Sequence, residues 1–265
     1  MPDEPPVLYE SDGHIVTVTL NRPEVMNNFG GGLFRSLTDA LDRFQTDDDA
    51  HVMILTGRGR AFCAGADLKA LEERLRGADG AGRQLRPPAG RLFENPKFTR
   101  RTNIYKPMIG AVNGYCFAGG LEVALTCHFL IGAESSEYGV LNRRWAVPLI
   151  DGGTFRLPQW VGLGNALYLI QTGARIDASE AHRMGLIQEI VADAQLMDRA
   201  RELADIMATV PQSGLRGDTE SVLRGLGRPY EDALAFEAAI GGATEVSSEA
   251  LARFAEKRYD PRTGA

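Results

Sequence analysis

The chain has 265 residues, 44% hydrophobic and 24% charged, with a formal net charge of −6. Those values suit one or two globular domains with a buried core, and the acidic balance gives no footprint for nucleic acid. No apolar run approaches the roughly 18 residues of a transmembrane helix, and the acidic, proline-rich start MPDEPPVLYE is unlike a signal peptide, so a cytoplasmic protein without a membrane partner is expected.

In chain order, "HIVTVTLN" (14–21) alternates apolar and threonine side chains, the period of a half-buried strand. A helix is predicted over 33–44, where Leu33, Leu37, Leu41 and Phe44 recur at helical spacing. "HVMILTG" (51–57) is a continuous apolar run ended by a glycine and reads as a buried strand. "PMIGAVNG" (107–114) and "HFLIGA" (128–133) repeat that pattern around a helical stretch, "GGLEVALTC" (119–127). Strand and helix alternating through short turns predicts right-handed crossovers and a helix-covered sheet. The segment 76–90, rich in Gly, Pro and Arg, reads as a loop, either plainly flexible or a substrate-dependent lid.

"DASEAHRMGL" (177–186) carries an N-cap candidate and a compact helix ended by Gly185, and "IQEIV" is a short strand. Helices are predicted over 193–207, 212–226, 229–240 and 247–257. The organisation is therefore an α/β core, residues 1–195, followed by a helical region, residues 196–265. Cys63, Cys116 and Cys127 make an odd number without metal spacing, and four histidines are scattered, so neither a disulfide framework nor a zinc site is expected.

Two glycine-containing turns each follow a buried strand, "AFCAGADLKA" (61–70) and "NGYCFAGGLEVAL" (113–125). Small residues admit another molecule close to the backbone, and a helix start leaves N–H groups unpaired. Side by side, such turns aim two donors at one oxygen, an oxyanion hole. Neither is a dinucleotide or P-loop fingerprint. Gly30–Gly32 has no strand immediately before it and reads as loop or helix entry. Glu122 lies in an otherwise apolar stretch, where a carboxylate is costly unless used or bonded.

Together, "NRPEVMNNF" (21–29), "AFCAGADLK" (61–69), "KPMIGAVNGYCFAGGLEVALTC" (106–127) and "TGARIDASEAHRMGLIQEIV" (172–191) resemble the crotonase, or enoyl-CoA hydratase/isomerase, superfamily, in family order over nearly the whole chain. The resemblance implies a spiral of repeated β-β-α units with C-terminal helices that form a trimer or a hexamer of paired trimers. It implies an acyl-CoA thioester substrate, with coenzyme A as part of that substrate and no separate cofactor. The Ala66 and Gly119 N–H groups would stabilise a thioester enolate, and Ala64, Ala66, Asp67, Leu68, Lys69 and Gly119 would line the CoA moiety. Lys69 would meet a phosphate or stay a solvated lysine.

Glu122 matches the first of two glutamates that hydratases use to activate water. The second falls at Asn142, which cannot exchange a proton as a carboxylic acid does. Asp151, before the Gly-Gly-Thr turn, is open to two readings: a replacement acid, or the N-cap of a helix over 154–161. Asn142, Arg143 and Trp145 are candidates for the acyl pocket. Arg143 and Arg144 would otherwise face solvent or a subunit contact, or one of them would pair with Asp151 or Glu122 or recognise an acidic or polar acyl group. Trp145 would otherwise fill core. Hydration of a 2-enoyl-CoA comes first among the reactions; isomerisation, another family reaction such as hydrolysis or lysis, and an impaired acyl-CoA-binding protein are the alternatives.

Overall fold

The computed structural model describes residues 4–76, 97–244 and 248–255. Strands β1 (Val7–Asp12) and β2 (Ile15–Leu20) form an antiparallel hairpin, followed by α1 (Leu33–Thr46). Two further units follow: β3 (Val52–Gly57), β4 (Ala61–Cys63) and α2 (Leu68–Arg76), then β5 (Met108–Val112), β6 (Tyr115–Phe117) and α3 (Gly119–Ala124). A fourth pair, β7 (Phe129–Ala133) and β8 (Glu137–Gly139), leads through a 3-10 turn at Leu141–Trp145 into α4 (Gly153–Thr172). The core closes with β9 (Arg175–Asp177), α5 (Ala178–Arg183) and β10 (Glu189–Val191).

From the second unit on, the first strand joins one sheet and the second joins another. The larger sheet runs β1-β2-β3-β5-β7-β10, and the smaller runs β4-β6-β8-β9. From β2 onward the larger sheet is parallel, and every residue of β3 and β5 is buried, as their unbroken apolar runs require. This is the spiral of β-β-α units that the resemblance implies.

Helix α1 buries Leu33, Leu37, Ala40, Leu41 and Phe44 along one stripe. Burying each of the larger side chains contributes about 1.5–3 kcal/mol. Its C-terminal carbonyls, Phe44 O and Asp47 O, accept from the Lys106 ammonium, a cation where the helix dipole favours one. The opposite face of the larger sheet is covered by α6 (Leu196–Thr209) through Leu196, Ala200 and Ala204. Helices α7 (Gln212–Gly225) and α8 (Tyr230–Ala243) pair with each other and bury no residue fully; α9 is Ser248–Ala255.

Several sequence expectations are redrawn. The helix expected over 154–161 begins at Gly153 and continues past a break at Gly162 (φ +76) to Thr172. The stretch 193–207 starts as a 3-10 turn, and its helix runs from Leu196 to Thr209. "AFC" and "YCF" are strands of the smaller sheet rather than parts of turns, and "EYG" is another strand of that sheet. Asp177 caps α5 as predicted, accepting from the Glu180 N–H at 2.8 Å. Apart from Arg76, which ends α2, the segment read as a loop or lid lies outside the described residues.

Candidate active site

The two glycine turns meet. Gly65 has φ +87, a conformation that favours glycine, and a Cβ there would sit 2.7 Å from Gly119 N. The "NRPEVMNNF" loop is bonded to the first of them, and its Phe29 ring packs against Gly119 of the second. The buried Asn27 amide donates to Arg58 O and Ala61 O, while Phe29 N–H donates to Gly65 O and Ala64 N–H to Met26 O. Ala118, before α3, holds φ 52 and ψ −122, a strained conformation for a residue with a side chain. Such strain costs about 1–3 kcal/mol and gathers at functional sites. Among the described residues, neither the Ala66 nor the Gly119 N–H has an acceptor.

Of the expected CoA-lining residues, Asp67 has a structural task. Its Oδ1 accepts from the Lys69 and Ala70 N–H groups at 3.1 Å and caps α2. Ala66, Leu68 and Lys69 are exposed on the same rim, and Ala64 is half-buried.

Glu122 is on α3, one turn beyond Gly119, and only 3% exposed. Its Oε1 accepts two backbone N–H groups, Asp151 N and Gly153 N, each at 2.8 Å. Among the described residues Oε2 has no partner, and it is not sealed from solvent. Burial is the largest influence on this carboxyl and raises its pKa from 4.5 to about 7; the Asp151 charge pushes the same way, and both N–H bonds and Arg156 oppose it. A carboxyl poised there can take or give a proton near neutral pH.

Asp151 does not cap α4. The cap position is Gly152, with no side-chain bond to the helix. The Asp151 carboxylate instead accepts from the buried Thr99 hydroxyl at 3.0 Å, while its backbone N–H serves Glu122. The structure thus brings Asp151 and Glu122 into one network. Arg156 joins it, with Nη1 donating to Thr99 O at 2.8 Å and to Asp151 O at 3.4 Å.

Asn142 is buried, 5% exposed, and its Oδ1 has no partner among the described residues. Arg143 is exposed and donates to Val147 O within its own loop, and it pairs with neither Glu122 nor Asp151. Arg144 is exposed as well. Trp145 is 62% exposed, so it does not fill core.

Sequence reasoning missed Thr99 and Arg156. Thr99 gives no signal, because its contact spans 52 residues. Arg156 does give one: a cation in the first turn of a helix opposes the helix dipole and calls for a specific partner.

The enoyl-CoA hydratase/isomerase family profile matches residues 10–263. The chain is 31% identical to the short-chain-enoyl-CoA hydratase of Clostridium acetobutylicum, over 95% of each chain. It is also 31% identical to the (E)-benzylidenesuccinyl-CoA hydratase of Thauera aromatica, over 98% of this chain and 100% of the other. Among solved structures, an enoyl-CoA hydratase from Mycobacterium tuberculosis H37Rv superposes with a TM-score of 0.84 at 30% identity, covering 96% of this chain and 97% of that one. With the spiral fold, the abutting turns and the buried glutamate in place, these matches show that the chain belongs to the enoyl-CoA hydratase/isomerase family and is an enzyme of that class.

Proposed function

We propose that this enzyme adds water to the double bond of 2-enoyl-CoA thioesters. The observation that carries the reading is the pairing of two open N–H donors, at Ala66 and Gly119, with the buried carboxyl of Glu122 one helical turn further on. The donors hold the thioester oxygen, where negative charge develops. Glu122 takes a proton from water as the water oxygen bonds Cβ, and the π electrons move onto the thioester oxygen. The resulting enolate collapses as Cα takes a proton through Asp151, whose carboxylate receives the proton that Glu122 took from water and passes it on, so both carboxylates end as they began. Asp151 stands in for the carboxylate missing at Asn142, with Oδ1 held by Thr99. Only protons and water move, so the reaction calls for no cofactor beyond the CoA moiety of the substrate.

Double-bond isomerisation is the second reading, favoured by Asn142 because one base can shuttle a proton between two carbons. The test is turnover of a panel of 2- and 3-enoyl-CoAs with product identification. A 3-hydroxyacyl-CoA product supports hydration, and a moved double bond supports isomerisation. Tight CoA-thioester binding without turnover would leave an acyl-CoA-binding protein. Asp151→Asn keeps an acceptor for Thr99 and is expected to cut turnover by at least about 100-fold with folding and CoA affinity preserved. Full activity in that variant would remove Asp151 from the mechanism.

The working unit in this reading is a trimer or a pair of trimers in the cytoplasm. Val222, Leu223, Leu226, Tyr230 and Leu234 on and around α7 and α8 are exposed, an apolar surface suited to a second copy. Sedimentation velocity tests it, and a monomer at micromolar concentration would refute it.

A further inference from the structure

The 3-10 turn at Phe98–Arg100 and the turn before α4 are distant in sequence, yet side chains stitch them together. The Thr99 hydroxyl donates to the Asp151 carboxylate, and Arg156 Nη1 donates to both Thr99 O and Asp151 O. Arg156 Nη2 reaches Arg101 O at 3.5 Å, and Arg100 donates to Ile150 O. What this stitching holds is the turn whose two N–H groups grip Glu122.

We propose that Arg156, with Thr99, is a positioning residue for proton transfer. It fixes the 150–153 turn so that Asp151 N–H and Gly153 N–H hold one oxygen of Glu122 and leave the other for substrate or water. The inference rests on the reading of Glu122 as the proton-transferring group.

Three features carry it. First, the turn contains two adjacent glycines and has little conformational preference of its own. Gly152 holds φ +99, and any Cβ there would collide with the Arg156 guanidinium, so the arginine packs directly against the turn it restrains. Second, Arg156 stands in the first turn of α4, where the helix dipole disfavours a cation. Its carbonyl partners and the nearby Glu122 and Asp151 charges compensate, against burial that disfavours its own charge. Third, its contacts diverge to carbonyls on both segments. A planar fork of five donors can span them, and a lysine ammonium cannot.

The charged groups facing Glu122 are Asp151 and Arg156. Helix α3 carries no other charged residue. Of the neighbouring arginines, Arg100 turns to Ile150 O and Arg101 to Asp42. Arg156 is thus the one cation among them that favours the ionised form of Glu122.

The test compares wild type with Arg156→Gln, Arg156→Lys and Thr99→Val. In both arginine variants kcat for enoyl-CoA hydration is expected to fall about 10- to 100-fold, with KM within about threefold, because the loss lies in the transition state. In Arg156→Gln the acid limb of kcat/KM moves to higher pH, whereas Arg156→Lys keeps the charge and holds the limb. Titration of 13C-labelled Glu122 by NMR reads the same displacement without turnover. Thr99→Val, a milder change, gives a several-fold loss of kcat and decides the claim if the arginine variants do not fold. An unchanged kcat and an unchanged Glu122 titration in Arg156→Gln would overturn the proposal, as would a loss confined to KM. If wild type turns over no enoyl-CoA, the functional reading falls and the NMR titration still decides whether Arg156 acts on Glu122.

Discussion

Replacing Glu122 with glutamine separates what this carboxyl does for the reaction from what it costs the fold. Glutamine keeps the shape and an amide oxygen able to accept Asp151 N–H and Gly153 N–H, so the turn stays in place. It removes the base, and turnover is expected to fall at least about 100-fold. Stability should move the other way. Burial lifts the Glu122 pKa from 4.5 to about 7, so between those pH values the folded state binds a proton that the unfolded state releases. The contribution of such a group is full below 4.5 and is lost as pH rises through about 7. At 1.36 kcal/mol per pKa unit, the loss above pH 7 is about 3 kcal/mol. Glutamine has no such proton to lose. In urea titrations followed by circular dichroism, Glu122→Gln should match wild type near pH 4.5 and exceed it by up to about 3 kcal/mol at pH 8. A variant less stable than wild type at pH 8, or one that keeps its turnover, would refute the reasoning.

Gly65→Ala should cut kcat about 100-fold, because the new methyl would press within 2.7 Å of Gly119 N and block one donor. The φ of +87 adds about 1–2 kcal/mol of destabilisation. A variant keeping more than half its kcat would show that this contact does not hold the thioester oxygen. His128 is half-buried, with Nε2–H donating to Ile104 O and Nδ1 accepting from Met108 N–H; burial lowers its pKa against the opposing Ile104 bond. Its contribution is present above its ordinary 6.5 and lost as pH falls, since the unfolded state takes up the proton first. Measured in the Glu122→Gln background, which removes the opposite slope, stability should drop below pH 6.5, and His128→Asn should flatten that drop.

What the sequence made legible is what local pattern determines. The alternation of β2, the apolar run of β3, the stripe of α1 and the Asp177 cap each follow from residues within a few positions. The three-residue strands β4, β6 and β8 are too short for a period to declare them, and they exist because parallel neighbours pair across the spiral. The predicted end of α4 at Val161 coincides with a real break at Gly162, but packing of Ala166 and Leu169 carries the helix onward. Asp151 was open to a capping role because Asp before Gly-Gly-Thr is a sound cap. The competing partner, Thr99, comes from another part of the chain and takes the carboxylate away from the helix. The meeting of Gly65 with Gly119 is likewise tertiary, and the motifs alone could only suggest it.

The two parts of Asp151 act on Glu122 in opposite senses. Its backbone N–H bonds the Glu122 carboxylate and lowers the pKa, while its side-chain charge raises it. Asp151→Asn leaves the first and removes the second, so it makes Glu122 more ionised at neutral pH, not less. A base that works in its ionised form is not impaired by that change. Thr99 still finds an acceptor in the asparagine Oδ1, and the turn keeps its grip from Arg156. A large loss of turnover in Asp151→Asn with Glu122 titrating lower than in wild type would therefore report proton transfer by Asp151 itself. A loss accompanied by Glu122 titrating higher would instead mean that the turn had let go. The backbone of this turn and the side chain it carries can thus be assigned separate tasks, one holding the first carboxyl and the other supplying the second.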